Sequence, residues 1–170
     1  MIGASERRSV RKRSEMPPLV QERLEKNLEW KMTQIGKVLY TAKTHTTGGR
    51  ENGASRSSDG RLDVRLATPD SARIGTNPEQ LFAVAWSACF ESAIALVARK
   101  RKITLPADLA IDAEVDLNLA DGGYVISTRL NVSLPGIDRK AAQVLVNEAH
   151  EVCAYSKATR NNMDVAIKLV

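Results

Sequence analysis

Residues 109–134 read LAIDAEVDLNLADGGYVISTRLNVSL. In the first half Leu109, Ile111, Ala113, Val115, Leu117 and Leu119 alternate with Asp112, Glu114, Asp116 and Asn118. After Asp121-Gly122-Gly123, Tyr124, Ile126, Thr128, Leu130, Val132 and Leu134 alternate with Ser127, Arg129, Asn131 and Ser133. Successive side chains of a strand point to opposite faces, so a period of two puts one face on a core and the other in water. Asp-Gly-Gly supplies the turn, and the whole stretch reads as an antiparallel hairpin.

Upstream, Asn77-Pro78-Glu79 is a helix start: Asn caps, Pro fits the first helical position and Glu suits the positive end of the helix dipole. The helix is expected to run to about Lys102, before Pro106. Between Leu81 and Ala98 it is apolar nearly all round, with six alanines and Glu91 as the one charge. A charge near the middle of a bilayer is expensive, so this is a helix at the centre of a soluble fold rather than a membrane span. Ala83, Ala85, Ser87 and Ala88 would let another backbone approach closely.

Downstream, Ala142, Leu145, Val146, Ala149, Val152 and Cys153 form one apolar stripe, which predicts a second helix over about Asp138–Cys153. Met163, Val165, Ile167 and Leu169 then alternate as a last strand. Before the first helix, strands are expected at Ile35–Ala42 and Leu62–Leu66, a turn at Thr46–Gly49 leading directly into Arg50, and a loop at 68–77. The order strands, helix, hairpin, helix, strand argues an α+β domain rather than a doubly wound parallel sheet.

The 170 residues carry a net charge of +5, unevenly. Residues 1–31 hold eight basic and five acidic side chains, against seventeen and fifteen in the rest. Residues 1–31 therefore read as a basic, proline-broken extension, with a short helix possible around Val20, Leu24 and Leu28; the domain spans 32–170, and Met32 is a candidate start. The body lacks the electrostatic footprint of a nucleic-acid binder. The leader has no apolar segment of the kind a signal peptide needs, so a cytoplasmic protein is expected. The two cysteines and two histidines do not fall at metal-ligand spacing, and neither a metal nor a cofactor is expected.

Cys89 lies inside the apolar helix and Cys153 ends the second one. Taken singly, each reads as a core thiol, because free cysteine is among the most buried residue types. A buried thiol is inert unless a positive charge offsets its desolvation. Two thiols on packed helices can nevertheless meet. Arg50 alone is a loop arginine, Glu79 alone a helix-start carboxylate, and His45 and His150 are surface or satisfied histidines.

Thr47-Gly48-Gly49-Arg50, Ser57-Ser58-Asp59-Gly60, Gly75-Thr76-Asn77-Pro78-Glu79-Gln80-Leu81-Phe82-Ala83, Ser87-Ala88-Cys89-Phe90 and Ala149-His150-Glu151-Val152-Cys153-Ala154-Tyr155-Ser156-Lys157-Ala158-Thr159-Arg160 occur in that order. From about Val38 onward the chain resembles the organic hydroperoxide resistance (Ohr) branch of the OsmC/Ohr family. It departs in two places: Ala154 stands where the family has proline, and loop 68–76 is short. The resemblance implies antiparallel sheets wrapped around two central helices in an intertwined homodimer. It implies Cys89 as peroxidatic cysteine, Cys153 as resolving cysteine, Arg50 as the cation at the thiolate and Glu79 as the carboxylate orienting Arg50. It also implies an organic hydroperoxide substrate, a lipoyl-type dithiol as reductant, and neither nucleic acid nor membrane as partner. The alternatives are an OsmC-branch peroxidase of osmotic or general stress, or a non-catalytic binding protein on the same fold with inert thiols.

Overall fold

The computed structural model describes residues 36–170; the expected extension 1–31 lies outside them. The chain divides between Ala42 and Lys43. Residues 36–42 are exposed and carry no strand, so the strand expected at Ile35–Ala42 is not there in its described part. Among the described residues the first strand starts later, at Thr44.

Lys43–Val170 is mixed α and β. Its elements are β1 (Thr44–Thr47), α1 (Gly49–Asn52), β2 (Ala54–Ser57), β3 (Asp63–Arg65), α2 (Pro78–Arg101), β4 (Ala110–Ala120), β5 (Gly123–Ser133), α3 (Arg139–Val152), α4 (Ala154–Thr159) and β6 (Asp164–Leu169). Two three-stranded sheets result, in the orders β1-β2-β3 and β4-β5-β6. All pairs are antiparallel except β5–β6, which is parallel. A parallel return needs a crossover, and α3 with α4 provides it.

The hairpin β4–β5 pairs Ala110 with Ser133 through Ala120 with Gly123. Leu130 and Val132 of β5 face the core, while Arg129 on the other face forks onto Glu114 and Asp116 of β4. α2 starts as its sequence dictates: Asn77 Oδ1 accepts from the Gln80 N–H, Pro78 takes the first position, and Lys102 ends the helix in a left-handed conformation. Trp86, Phe90, Ile94 and Val97 of α2 are buried against Leu145, Val146 and Ala149 of α3 and against β5. Each of the larger aliphatic or phenyl side chains among them contributes about 1.5–3 kcal/mol of burial free energy. Arg101 forks onto Glu148 and ties the C-terminal end of α2 to α3. By length and composition α2 could cross a membrane, but one of its faces forms this core. Its other face, with Val84, Ala88 and Leu96, is exposed.

Candidate active site

Arg50 sits at the tip of the β1–β2 hairpin, between the paired residues Thr47 and Ala54. The connection is tight. Gly48 has φ +72°, and a Cβ on it would come within 2.9 Å of Gly53 Cα. A Cβ on Gly53 would lie 2.1 Å from Gly49 O and 2.4 Å from Thr47 O, so only glycine fits at either place. Within this frame α1 holds Arg50 facing the start of α2. Its guanidinium forms a short, charge-assisted hydrogen bond to Glu79 in the first turn of that helix. Glu79 is the more enclosed partner, 16% exposed against 40% for Arg50. The N–H groups of the helix start favour a carboxylate there as well.

Cys89 and Cys153 form the second pair. Their sulfurs are 3.6 Å apart, with the Cys153 thiol donating to Cys89 Sγ. Both are free thiols. They differ in access: Cys89 is half-buried, whereas Cys153 is 2% exposed. Burial pushes the Cys153 thiol above its ordinary range; the Ser156 backbone N–H opposes this, and the neighbouring Cys89 adds to it. Cys153 is thus held protonated at neutral pH, consistent with its donating role. It occupies the corner between α3 and α4 with φ −62° and ψ 128°, an extended conformation.

The structure therefore brings the four predicted residues together two by two. Arg50 meets Glu79, and Cys89 meets Cys153. Among the described residues Arg50 makes no hydrogen bond to either sulfur. Glu79 and Cys89 share α2 but are ten residues apart, about 15 Å along the axis. Phe82 lies between them, seven residues before Cys89 and so on nearly the same face of the helix. It packs edge-on against Trp86 and Tyr155, with ring centroids 5.6 and 6.0 Å away. It also lines a cavity of about 470 Å³ with Tyr124, Val125, Ile126, Thr159 and Met163.

His45 lies in the exposed strand β1. His150 corrects the expectation of a surface or satisfied histidine, because its Nδ1 is buried and has no hydrogen-bond partner among the described residues. Burial and the adjacent Arg160 push its pKa down, and Glu151 pulls it up. Among the described residues no three His, Cys, Asp or Glu side chains converge to hold a metal ion. The sequence reading passed over Gly53 and Arg73. Gly53 is legible only as one more turn glycine, and Arg73 had no periodic pattern to mark it.

A family model described as OsmC-like protein matches residues 68–168. The chain is 47% identical over 142 residues to an organic hydroperoxide resistance protein of Xanthomonas axonopodis pv. citri, covering 81% of this chain and 99% of that one. The crystal structure of the organic hydroperoxide resistance protein OhrB of Bacillus subtilis matches with a TM-score of 0.74 at 45% identity, over 78% of this chain and all of that one. The structure of an organic hydroperoxide resistance protein from Legionella pneumophila matches with a TM-score of 0.73 at 42% identity, over 78% and 98% of the two chains. With the fold, the ordered motifs and these likenesses in agreement, the chain belongs to the organic hydroperoxide resistance branch of the OsmC-like family.

Proposed function

We propose that this protein detoxifies organic hydroperoxides as a thiol peroxidase, with Cys89 as nucleophile and Cys153 as resolving thiol. The observation that carries this is the pair of free sulfurs 3.6 Å apart, one accessible and one enclosed. The Cys89 thiolate attacks one oxygen of the hydroperoxide and the O–O bond breaks. The departing alkoxide takes up a proton and leaves as an alcohol, while Cys89 becomes a sulfenic acid. The Cys153 sulfur then displaces the sulfenic oxygen, which leaves as water, and a Cys89–Cys153 disulfide remains. A dithiol reductant, for which a lipoyl-type group is the family precedent, reopens it by exchange. That cycle belongs to a reducing compartment, so the cytoplasm is its proposed location.

Arg50 is assigned the role of stabilising the Cys89 thiolate and the departing oxygen, and Glu79 that of holding Arg50. The Arg50–Glu79 ion pair supports this, because a planar guanidinium held by a carboxylate keeps a fixed direction and stays charged. In this assignment Arg50, still held by Glu79, bridges toward the sulfur once a peroxide is bound. The cavity beside Phe82 is lined mainly by apolar side chains, with Thr159 and Asn162 as polar members, and is the proposed place for the carbon chain of the hydroperoxide. A homodimer is part of the proposal. The exposed apolar face of α2 and the open edges of both sheets are surfaces that a second copy would cover.

The test is thiol titration before and after one equivalent of cumene hydroperoxide, followed by mass spectrometry. The loss of both thiols as an intramolecular disulfide is expected, with cumyl alcohol as product. Two unchanged thiols would make the protein a non-catalytic binder on this fold.

A further inference from the structure

We infer that Arg73 is a positioning residue for Arg50, acting through the carbonyl of Gly53. This takes the proposed role of Arg50 as its starting point. Arg73 lies in the short loop between β3 and α2, and its side chain turns back toward the hairpin. Its Nη2 donates to Gly53 O at 3.3 Å and its Nε donates to Leu66 O at 3.2 Å. Gly53 O also accepts from the Leu66 backbone N–H at 2.9 Å. Three features of the structure meet at this carbonyl.

The first concerns Gly53 itself. It directly follows α1, is buried, and has no room for a Cβ, so any shift of Gly53 is transmitted to the Arg50 turn. The second concerns the loop. Leu66 and Thr76 form a parallel bridge; the Ala67 N–H donates to Thr76 O and the Thr76 N–H to Arg65 O, both at 2.9 Å. Asn77 then caps α2, and Glu79 follows in its first turn. The loop carrying Arg73 is therefore anchored to the same backbone that sets the place of Glu79. The third concerns what else holds the turn. β1 is exposed along its whole length among the described residues of one chain, so within that chain little apolar packing fixes the hairpin tip. With so little burial, a few hydrogen bonds decide where Arg50 sits relative to Glu79. The two made by Arg73 are long and individually weak, but they close a fork across segments 20 residues apart in sequence.

A misplacement of about 1 Å at a reacting group can slow a reaction by as much as ~100-fold, and loss of one of several tethers should cost less than that. Arg73→Ala is expected to slow single-turnover oxidation of Cys89 by cumene hydroperoxide about tenfold, and to move its pH profile about one unit upward. Arg73→Lys keeps the charge but presents one nitrogen where the fork presents two, and it should stay close to Arg73→Ala. In an Arg50→Ala background, Arg73→Ala should change neither rate nor pH profile further, because residues acting through one another are not additive. Thermal unfolding of each variant shows that the fold is retained. A wild-type pH profile in Arg73→Ala, full rescue by lysine, or an additive loss in the double variant would each overturn the inference. Wild-type behaviour of Arg50→Ala alone would instead remove the assignment of Arg50, and this inference with it.

Discussion

On the proposed mechanism, replacing Cys153 by serine leaves Cys89 able to react once and removes its resolving partner. The distance between the sulfurs sets the size of the effect. A thiol confined within 3.6 Å of its target is present at a local concentration of about 8 M. An external thiol at about 1 mM is then slower by about four orders of magnitude on concentration alone, before any advantage of orientation. In stopped-flow single turnover with one equivalent of cumene hydroperoxide, the first step should run at the wild-type rate in Cys153→Ser. Its Cys89 sulfenic acid should persist and be trapped by dimedone, whereas the wild type should yield disulfide within the mixing time or shortly after. The wild-type second step should also accelerate as pH rises, because burial keeps Cys153 protonated at neutral pH and the thiolate is the attacking form. Disappearance of the sulfenic acid from Cys153→Ser at the wild-type rate, without added thiol, would refute the assignment of Cys153.

Arg50→Ala should slow Cys89 oxidation by about 100-fold and shift its pH dependence upward, as for loss of one electrostatic stabiliser; rates across neutral pH check it. Ala154→Pro should stabilise the protein by about 0.4–1 kcal/mol without changing peroxidase rate, as read by thermal unfolding and turnover. Position 154 is the first of α4, where proline fits, and Cys153 already has the extended conformation that a following proline requires. His150 has a depressed pKa in the fold, so the unfolded chain binds its proton more readily. Stability should therefore fall as pH drops below about 6.5 and toward the folded pKa, and His150→Gln should flatten that limb of a denaturation series.

What was legible in the sequence follows from periodicity and punctuation. Asn77-Pro78 and the apolar run up to Ala98 marked α2 almost to the residue, and strict alternation marked β4, β5 and β6. The first sheet was harder. β1 is Thr-His-Thr-Thr with both faces exposed, and β2 is Ala-Ser-Arg-Ser, so neither shows a two-residue apolar pattern. The apolar stretch before β1 drew the expected strand several residues too early. α1 is a single turn imposed by Gly48, Gly49 and Gly53, too short for any helical period. α4 begins beyond the corner at Cys153, where the stripe that marked α3 runs out. The parallel direction of β6 is a long-range property that alternation cannot carry. In the site, all four residues were named from the resemblance, but their division into two pairs was not legible. It depends on where a hairpin tip and a helix corner come to rest. The tether through Arg73 depends on an unpatterned loop.

The parallel pairing of β6 with β5 has a consequence for biosynthesis. β6 is made after every element it pairs with or covers, and its ladder, from Ser127–Asp164 to Val132–Leu169, forms only once α3 and α4 have folded across. During translation Cys89 leaves the ribosome 64 residues ahead of Cys153. In that interval a nascent chain holds Cys89 without the thiol that the proposed mechanism assigns to resolve it. Any sulfenic acid formed on Cys89 at that stage would lack this partner and be open to further, irreversible oxidation.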